Sequence, residues 1–512
     1  MAGQNKIGSA GQFLTLLGFV ALLLLASLPI LFSFDYWVMG DRSSHLNLDF
    51  LFQEHQILGV TACYSYGLLP VFIHHVVFEI FGRDYKPMLG CILASDVLYV
   101  FMWTLFLKQL PRGRQWLIAV LAIVPILFEV NPNLAYCVVD VSMLFALLFV
   151  LQGKLPLAFA AAVVGCFGVP SLPIVLSLLL FGCIVVEWWV EGHGRPGTLL
   201  RRLLPGVLTY AGLFTGLGLF FGFRAMLATA LPINGVKFYN HSGWLGLGRS
   251  MVFFHPSGHS FKYYLGYYPL TTVTWFMFAL LVLGIVSFKS LPTILVRGRF
   301  HPARLCMAIC FVLIVIFLLV AFGGPGQENI YEPILAVGAL VAIASLSPRP
   351  RLIFLVTFIV LGALGESGQA YRTLRAWRTT KPSPITYNLY SDPEFAKEFE
   401  KVLDLSKTHK LFFFSYATGQ HVYYPTLESP DMWFLQPGLM FPSDRQRILK
   451  QLDTADIVVV DRTRFHFFQD YDPDVRPRLA AMCLVSVTED FRIFRRPGLE
   501  PGQCIQNGVA PE

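Results

Sequence analysis

Residues 13–34, "FLTLLGFVALLLLASLPILFSF", and residues 39–56, "MGDRSSHLNLDFLFQEHQ", decide the fold between them. The first is roughly 20 apolar residues long, enough to cross a hydrocarbon core of about 30 Å. It is too long for the h-region of a cleaved signal, and no small-x-small cleavage site follows. It therefore reads as an uncleaved first span. The second stretch sets down Asp41, His45, Asp49 and Glu54 at once, where a stop-transfer flank would be short and basic. Apolar character then resumes, so this is a polar loop between spans.

Composition agrees. Of 512 residues, 55% are hydrophobic, 15% aromatic and only 14% charged, against about 25% charged in ordinary soluble domains. The formal net charge of +7 does not indicate a nucleic-acid partner, because the basic residues form small clusters between apolar runs. The nine cysteines show no C-x-x-C or zinc-like spacing, so no metal framework can be read from them. Cys483 and Cys504 lie near the C-terminus and could pair in an oxidising compartment.

Apolar runs near 13–33, 87–107, 115–129, 138–152, 155–172, 173–190, 204–223, 269–288, 304–322, 332–346 and 352–366 give about eleven spans. With Lys6 inside and the chain alternating, the inside loops are "KQLPRGRQ", "QGK", "EGHGRPGTLLRR", "FKSLPTILVRGRFHPAR" and "SPRPR". All are basic, as the positive-inside rule requires. The alternation holds only if "PVFIHHVVFEIFG" (70–82) does not cross. It is too short to do so and reads as an interfacial helix on the outer face, with His74 and His75 as its water-facing polar residues.

Beyond about 380 the pattern changes. "HKLFFFSYATG" and "ADIVVVDRTRF" read as buried strands. "DPEFAKEFEKVLDLSK" and "SDRQRILKQLD" read as amphipathic helices capped by Ser391 and Ser443. Alternating strands and helices predict a small α/β domain. The chain divides into a transmembrane module, 1–370, with its first outer loop at 34–86, and an extracytoplasmic α/β domain, 371–512.

The first outer loop carries the candidate chemistry. Asp41, His45 and Asp49 are spaced i, i+4, i+8 and would share one helix face. A carboxylate at the membrane surface can take a proton from an acceptor hydroxyl or amine while a sugar leaves its phosphate carrier. Charge develops on that phosphate, so cations nearby are expected; Arg42, His45, Arg83 and Lys86 are candidates. Glu129 and Asp140 flank the second outer loop, where a second acid could orient the donor or hold a metal. Plainer roles stand beside these: Asp41 after Gly40 fits a helix N-cap, and Asp49 fits a solvated helix face.

A first span, an acidic outer loop and then "ILGVTACYSYGLLPVFIHHVVFEIFGRD" (57–84) together resemble the polyprenyl-phosphate-sugar-dependent glycosyltransferases of the GT-C fold. The matching pieces are Asp41, Gly59, Tyr64, Tyr66, Gly67, Leu69, Pro70, Phe81 and Gly82. "LFFFSYATGQHVYYPTLESPDMWF" and "DRQRILKQLDTADIVVVD" are similar to the soluble outer domain of such enzymes. The chain departs from the pattern at "GDRSSH", where Arg42 replaces the second acid of the usual pair. The longer spacing to Gly59 leaves either Asp41 or Asp49 as the equivalent of the family acid.

The resemblance implies a polytopic α-helical membrane protein that performs an inverting transfer on the outer face of a bacterial inner membrane. The donor would be a polyprenyl-phosphate-linked sugar. The acceptor would be a lipid, glycan or protein. Asp41 and Asp49 would be catalytic, with Arg42, His45, Tyr64, Tyr66, Arg83, Lys86, Glu129 and Asp140 binding substrate. Some relatives use a divalent metal, Mg or Mn. Three other classes remain open: a polysaccharide polymerase or ligase, a transporter, and a non-catalytic scaffold of envelope biogenesis.

Overall fold

The computed structural model describes residues 46–62, 64, 66–110, 134–191, 196–230, 270–296, 298–320, 328–365, 374–414, 424, 426–428, 442–461, 474–499 and 504, together with 18, 25, 28, 29 and 32. A helix over 46–53 (α1) opens the first loop. It is followed by α2 (Leu69–Phe81) and α3 (Tyr85–Gln109), then α4 (Leu134–Leu151), α5 (Leu155–Gly165), α6 (Ser171–Val190), α7 (Pro196–Phe221) and α8 (Phe223–Ala230). The second half of the helical part holds α9 (Leu270–Ser290), α10 (Pro302–Val320), α11 (Glu328–Ala344) and α12 (Pro348–Gly365). A two-stranded turn, β1 (Leu295–Val296) with β2 (Arg299–Phe300), joins α9 to α10.

Of the eleven expected spans, 115–129 and all but five residues of 13–33 lie outside the described residues, and the others fall on helices. Among the described residues, five helices are long and apolar enough to cross a membrane. The expected span 155–172 needs correction. Its helix, α5, stops at Gly165 after 11 residues, about 16 Å at 1.5 Å per residue, half of what a crossing needs. Gly168 and Pro170 then turn the chain into α6.

The first loop meets that turn. The Gly67 N–H donates to the Gly168 carbonyl at 2.7 Å, and the Leu69 N–H donates to the Phe167 carbonyl at 3.1 Å. A side chain at Gly67 would place its Cβ 2.1 Å from the Phe167 oxygen, so only glycine allows the contact. The short helix is completed by the loop of another part of the chain. The pairing also puts the 166–170 turn beside the first loop.

The strands of the tail begin with β3 (Lys381–Ser383), antiparallel to β4 (Leu389–Ser391). Behind them lies a five-stranded sheet in the order β6-β5-β7-β9-β8. β5 (Leu411–Phe414) is parallel to β6 (Leu427–Glu428) and to β7 (Ile457–Asp461). β9 (Phe491–Arg495) runs antiparallel to both β7 and β8 (Cys483–Val487). All four residues of β5 are buried, because both faces of the sheet are covered. Phe412 and Phe414 pack with α14 (Pro442–Thr454) and α15 (Val475–Ala480). Leu411 and Phe413 pack with Phe399 and Val402 of α13 (Pro393–Thr408).

That second core does not end at the tail. Leu46, Phe78, Tyr85, Met88 and Leu89 of the first loop and α3 belong to the same cluster. The Tyr390 N–H also donates to the Phe32 carbonyl, at 2.8 Å. First loop and tail therefore share one side of the bundle. Two of the expected caps are corrected. Asp392, not Ser391, caps α13 by accepting from the Glu394 N–H at 2.9 Å, and Ser391 ends β4. Ser443 follows Pro442 inside the first turn of α14. Cys483 and Cys504 form a disulfide.

Candidate active site in the first loop

Asp49 is fully buried, as are Leu46, Asn47, Leu48 and, nearly so, Leu51 of the same helix. The solvated-face alternative does not hold. Its Oδ1 accepts a hydrogen bond from His75 Nδ1 at 2.7 Å, and its Oδ2 accepts from Arg83 Nε at 2.7 Å. Because a carboxylate only accepts, the bond to Oδ1 places a ring proton on Nδ1. Nε2 has no hydrogen-bond partner among the described residues, and the His75 side chain keeps 14% of its exposure. Nη1 and Nη2 of Arg83 likewise carry no hydrogen bond among the described residues.

The sequence aims these groups through α2. A proline in its first turn starts the helix, where a missing N–H costs nothing. It stops at Gly82, whose φ of 86° suits glycine and whose N–H donates to the Phe78 carbonyl at 2.9 Å. This left-handed residue turns the chain, and Arg83 reaches back to Asp49. Aromatic rings wall the cluster. Phe52 meets His75 edge-on at 5.5 Å, and Phe220 from the end of α7 meets it at 5.1 Å. Removing water in this way strengthens each charge–dipole contact inside.

α2 is a helix over nearly its expected range, but its faces are the reverse of the sequence expectation. His74 is fully buried and stacks on Phe78, with ring centroids 5.8 Å apart, while Ile80 and Phe81 are exposed. A helix against lipid turns its apolar side outward and its polar side toward protein. His75 was therefore not among the expected site residues, although it stands in the cluster with Asp49. The available signal was an ionisable pair at the centre of a 13-residue apolar helix.

The two loop tyrosines act as ties. The Tyr64 hydroxyl donates to the Gly67 carbonyl at 3.0 Å, and burial pushes that hydroxyl well above the ordinary tyrosine range. The Tyr66 and Tyr136 hydroxyls share a hydrogen bond of 2.7 Å, which fastens the loop to α4. Asp140, one turn further along α4, is buried. Lys86 is exposed at the start of α3. Asp41, Arg42, His45 and Glu129 lie outside the described residues.

No family model matches the sequence, and no curated protein matches it. Among solved structures the chain is similar to ArnT from Cupriavidus metallidurans bound to undecaprenyl phosphate. The TM-score is 0.54 at 14% sequence identity, covering 93% of this chain and 97% of that one. The chain has the GT-C fold. The apo state of the same ArnT gives a TM-score of 0.47 at 14% identity, over 95% of this chain and 98% of that one.

In this GT-C chain, Asp49, His75 and Arg83 come together, and Tyr64, Tyr66 and Asp140 stand in the elements that frame them. The divalent metal expected from the resemblance finds no group of three or more His, Cys, Asp or Glu side chains among the described residues. Arg83, a permanent cation, already holds one oxygen of Asp49, and a divalent ion there would face like charge. The described residues do not fit a metal, and no step below passes through one.

Proposed function

We propose that the chain is an integral membrane glycosyltransferase that takes a sugar from a polyprenyl-phosphate donor. It passes the sugar to a lipid, glycan or protein acceptor with inversion at the anomeric carbon. The observation that carries this reading is the cluster of part-buried His75 and Arg83 around the sealed Asp49 in the first loop of a GT-C fold. A buried ion pair with two cationic or polar partners is costly to keep for stability alone. Its two edges without a partner among the described residues are the Nη atoms of Arg83, a donor set for phosphate, and Nε2 of His75. A guanidinium matches phosphate geometry, and the leaving group here is a phosphate. ArnT, bound to undecaprenyl phosphate, supports that donor class. The positive-inside pattern supports a cytoplasmic N-terminus and an extracytoplasmic first loop and tail, in a bacterial inner membrane.

Asp41 and Asp49 are the loop carboxylates proposed to serve catalysis, with Arg83 as the principal phosphate ligand. Arg42, His45, Lys86, Tyr64, Tyr66, Glu129 and Asp140 complete the proposed substrate-binding set. The test uses full-length protein in lipid nanodiscs with undecaprenyl-phosphate-linked glucose, mannose and arabinose, mixed with envelope membranes as acceptor source. Release of undecaprenyl phosphate from at least one donor is expected. Arg83→Ala should weaken undecaprenyl-phosphate binding by about tenfold or more, the loss of a charged hydrogen-bonding group. No release from any donor, with no binding of undecaprenyl phosphate, would end the reading.

A further inference from the structure

Both oxygens of Asp49 are engaged, and its side chain is fully buried. A carboxylate with no exposed side-chain surface meets no substrate hydroxyl unless the packing around it opens. What it does reach is the Nδ1 side of His75, and the opposite ring nitrogen is the one without a partner among the described residues. Phe52 and Phe220 flank the ring on two sides, which limits its rotation. Among the described residues, the charged groups around it are Asp49 of α1, Arg83 after α2 and, one turn along α2, Glu79, which accepts from Gln53 Nε2 at 3.4 Å. From α7 Phe220 faces it.

We propose that His75 is the catalytic base and that Asp49 is a positioning residue acting through it; this rests on the glycosyl-transfer reading above. The acceptor oxygen or nitrogen forms a bond to the anomeric carbon as the bond from that carbon to the phosphate oxygen breaks. The bonding pair leaves with the phosphate. The acceptor's proton passes to Nε2 of His75. The resulting imidazolium is held through Nδ1–H by Asp49, and it later returns the proton to water or to the departing phosphate. Arg83, on the other oxygen of Asp49, stays cationic throughout. The same carboxylate thus sets the tautomer of the base and the orientation of the cation.

His75→Asn tests this with little change of shape, because its amide can still donate to Asp49 while nothing replaces Nε2. In nanodiscs, with whichever linked sugar the wild type turns over, the rate of undecaprenyl-phosphate release should fall about 10²–10⁴-fold, the usual worth of a positioned base. Binding of undecaprenyl phosphate should stay within threefold of wild type. Activity of His75→Ala should recover at least tenfold on addition of imidazole, which a packing role would not produce. Asp49→Asn, which can present its amide nitrogen to Nδ1 and favour the other tautomer, should also lose turnover. Wild-type activity with His75→Asn within threefold of it overturns the proposal and leaves the transfer reading standing. Joint loss of turnover and lipid binding without imidazole rescue makes His75 structural and also overturns it. A wild type that neither binds undecaprenyl phosphate nor releases it from any donor removes the transfer reading and this proposal with it.

Discussion

Asp49, His75 and Arg83 at one end of the bundle and Glu187, Glu191, Arg202 and Arg299 at the other use the same charge chemistry in different surroundings. At the second end, Arg202 Nη2 meets Glu191 Oε2 at 2.6 Å, Arg299 Nε meets Glu191 Oε1 at 3.0 Å, and the Phe300 N–H donates to Glu187 Oε1 at 2.9 Å. These contacts tie the 191–202 segment to the β1–β2 turn, two loops that the positive-inside pattern puts together. The Glu191 side chain is 28% exposed and that of Arg299 is 75% exposed, whereas Asp49 is sealed. Exposed pairs of this kind contribute about 0–1 kcal/mol. A buried one is a liability unless every partner is in place. In the first loop the chain tolerates that liability and leaves a guanidinium edge and a ring nitrogen without partners among the described residues. The contrast is the reason to look for chemistry at one end and not at the other.

The widest separation between the two ends should come from Arg83→Ala. It leaves the buried Asp49 carboxylate with His75 alone, and breaking a buried pair costs about 3–5 kcal/mol. The expected loss is near the lower end of that range, because His75 remains. Thermal unfolding of the full-length protein in detergent, compared with Arg202→Ala, measures it. If the two variants lose the same stability, the distinction between the ends disappears.

Gly67→Ala probes what holds the first-loop cluster in place. That end is fixed partly by backbone, through the close approach of Gly67 to Phe167, while the Glu191 end is fixed by side chains. An added methyl at 2.1 Å from a carbonyl oxygen must push the loop from the 166–170 turn. Overpacking of this kind typically costs about 1–3 kcal/mol. The first loop should then open to protease before the tail does, since the tail has a sheet covered on both faces. Limited proteolysis read by peptide mass distinguishes these outcomes; simultaneous cleavage of both regions would argue against a local tie.

Most of the helical architecture was legible in the apolar runs, because crossing lipid demands long uncharged stretches and little else produces them. α5 was not, although Gly168 and Pro170 were visible. Apolarity cannot distinguish a crossing helix from a short one completed by another segment, and the deciding bonds join residues about 100 positions apart, Gly67 to Gly168. In the tail, the β5 and β7 runs were readable because two-sided burial writes itself as unbroken hydrophobicity. The first-turn prolines at Pro393 and Pro442 displaced the caps expected at Ser391 and Ser443. Within the candidate site, the spacing of the loop acids brought Asp49 forward, and Arg83 followed from its place beside the loop. His75 did not, because its pattern of polar and apolar neighbours is the same whether the helix shows its histidines to water or to protein. Only packing decides that, and the exposed Ile80 and Phe81 show which way it went.

The smallest expected effect, and the most discriminating in sign, belongs to the exposed end. Burial raises the Glu191 carboxyl, but the hydrogen bonds and charges of Arg202 and Arg299 outweigh it and hold the group below the ordinary carboxylate value. A carboxyl depressed in the folded state contributes stability in full above its unfolded value, about 4.3, and loses it as pH falls through the folded value. Arg202→Ala should therefore cost less than about 1 kcal/mol at pH 7. That difference from wild type should shrink as the pH drops below roughly 4, and also in about 1 M salt, where the Debye length is near 3 Å. The Arg83→Ala deficit, set by a sealed carboxylate, should survive the same salt. Parallel melts of the two variants at low and high ionic strength read this directly. A deficit at Arg83 that salt erases would mean that water reaches Asp49, and the buried cluster would then be no different in kind from the exposed one.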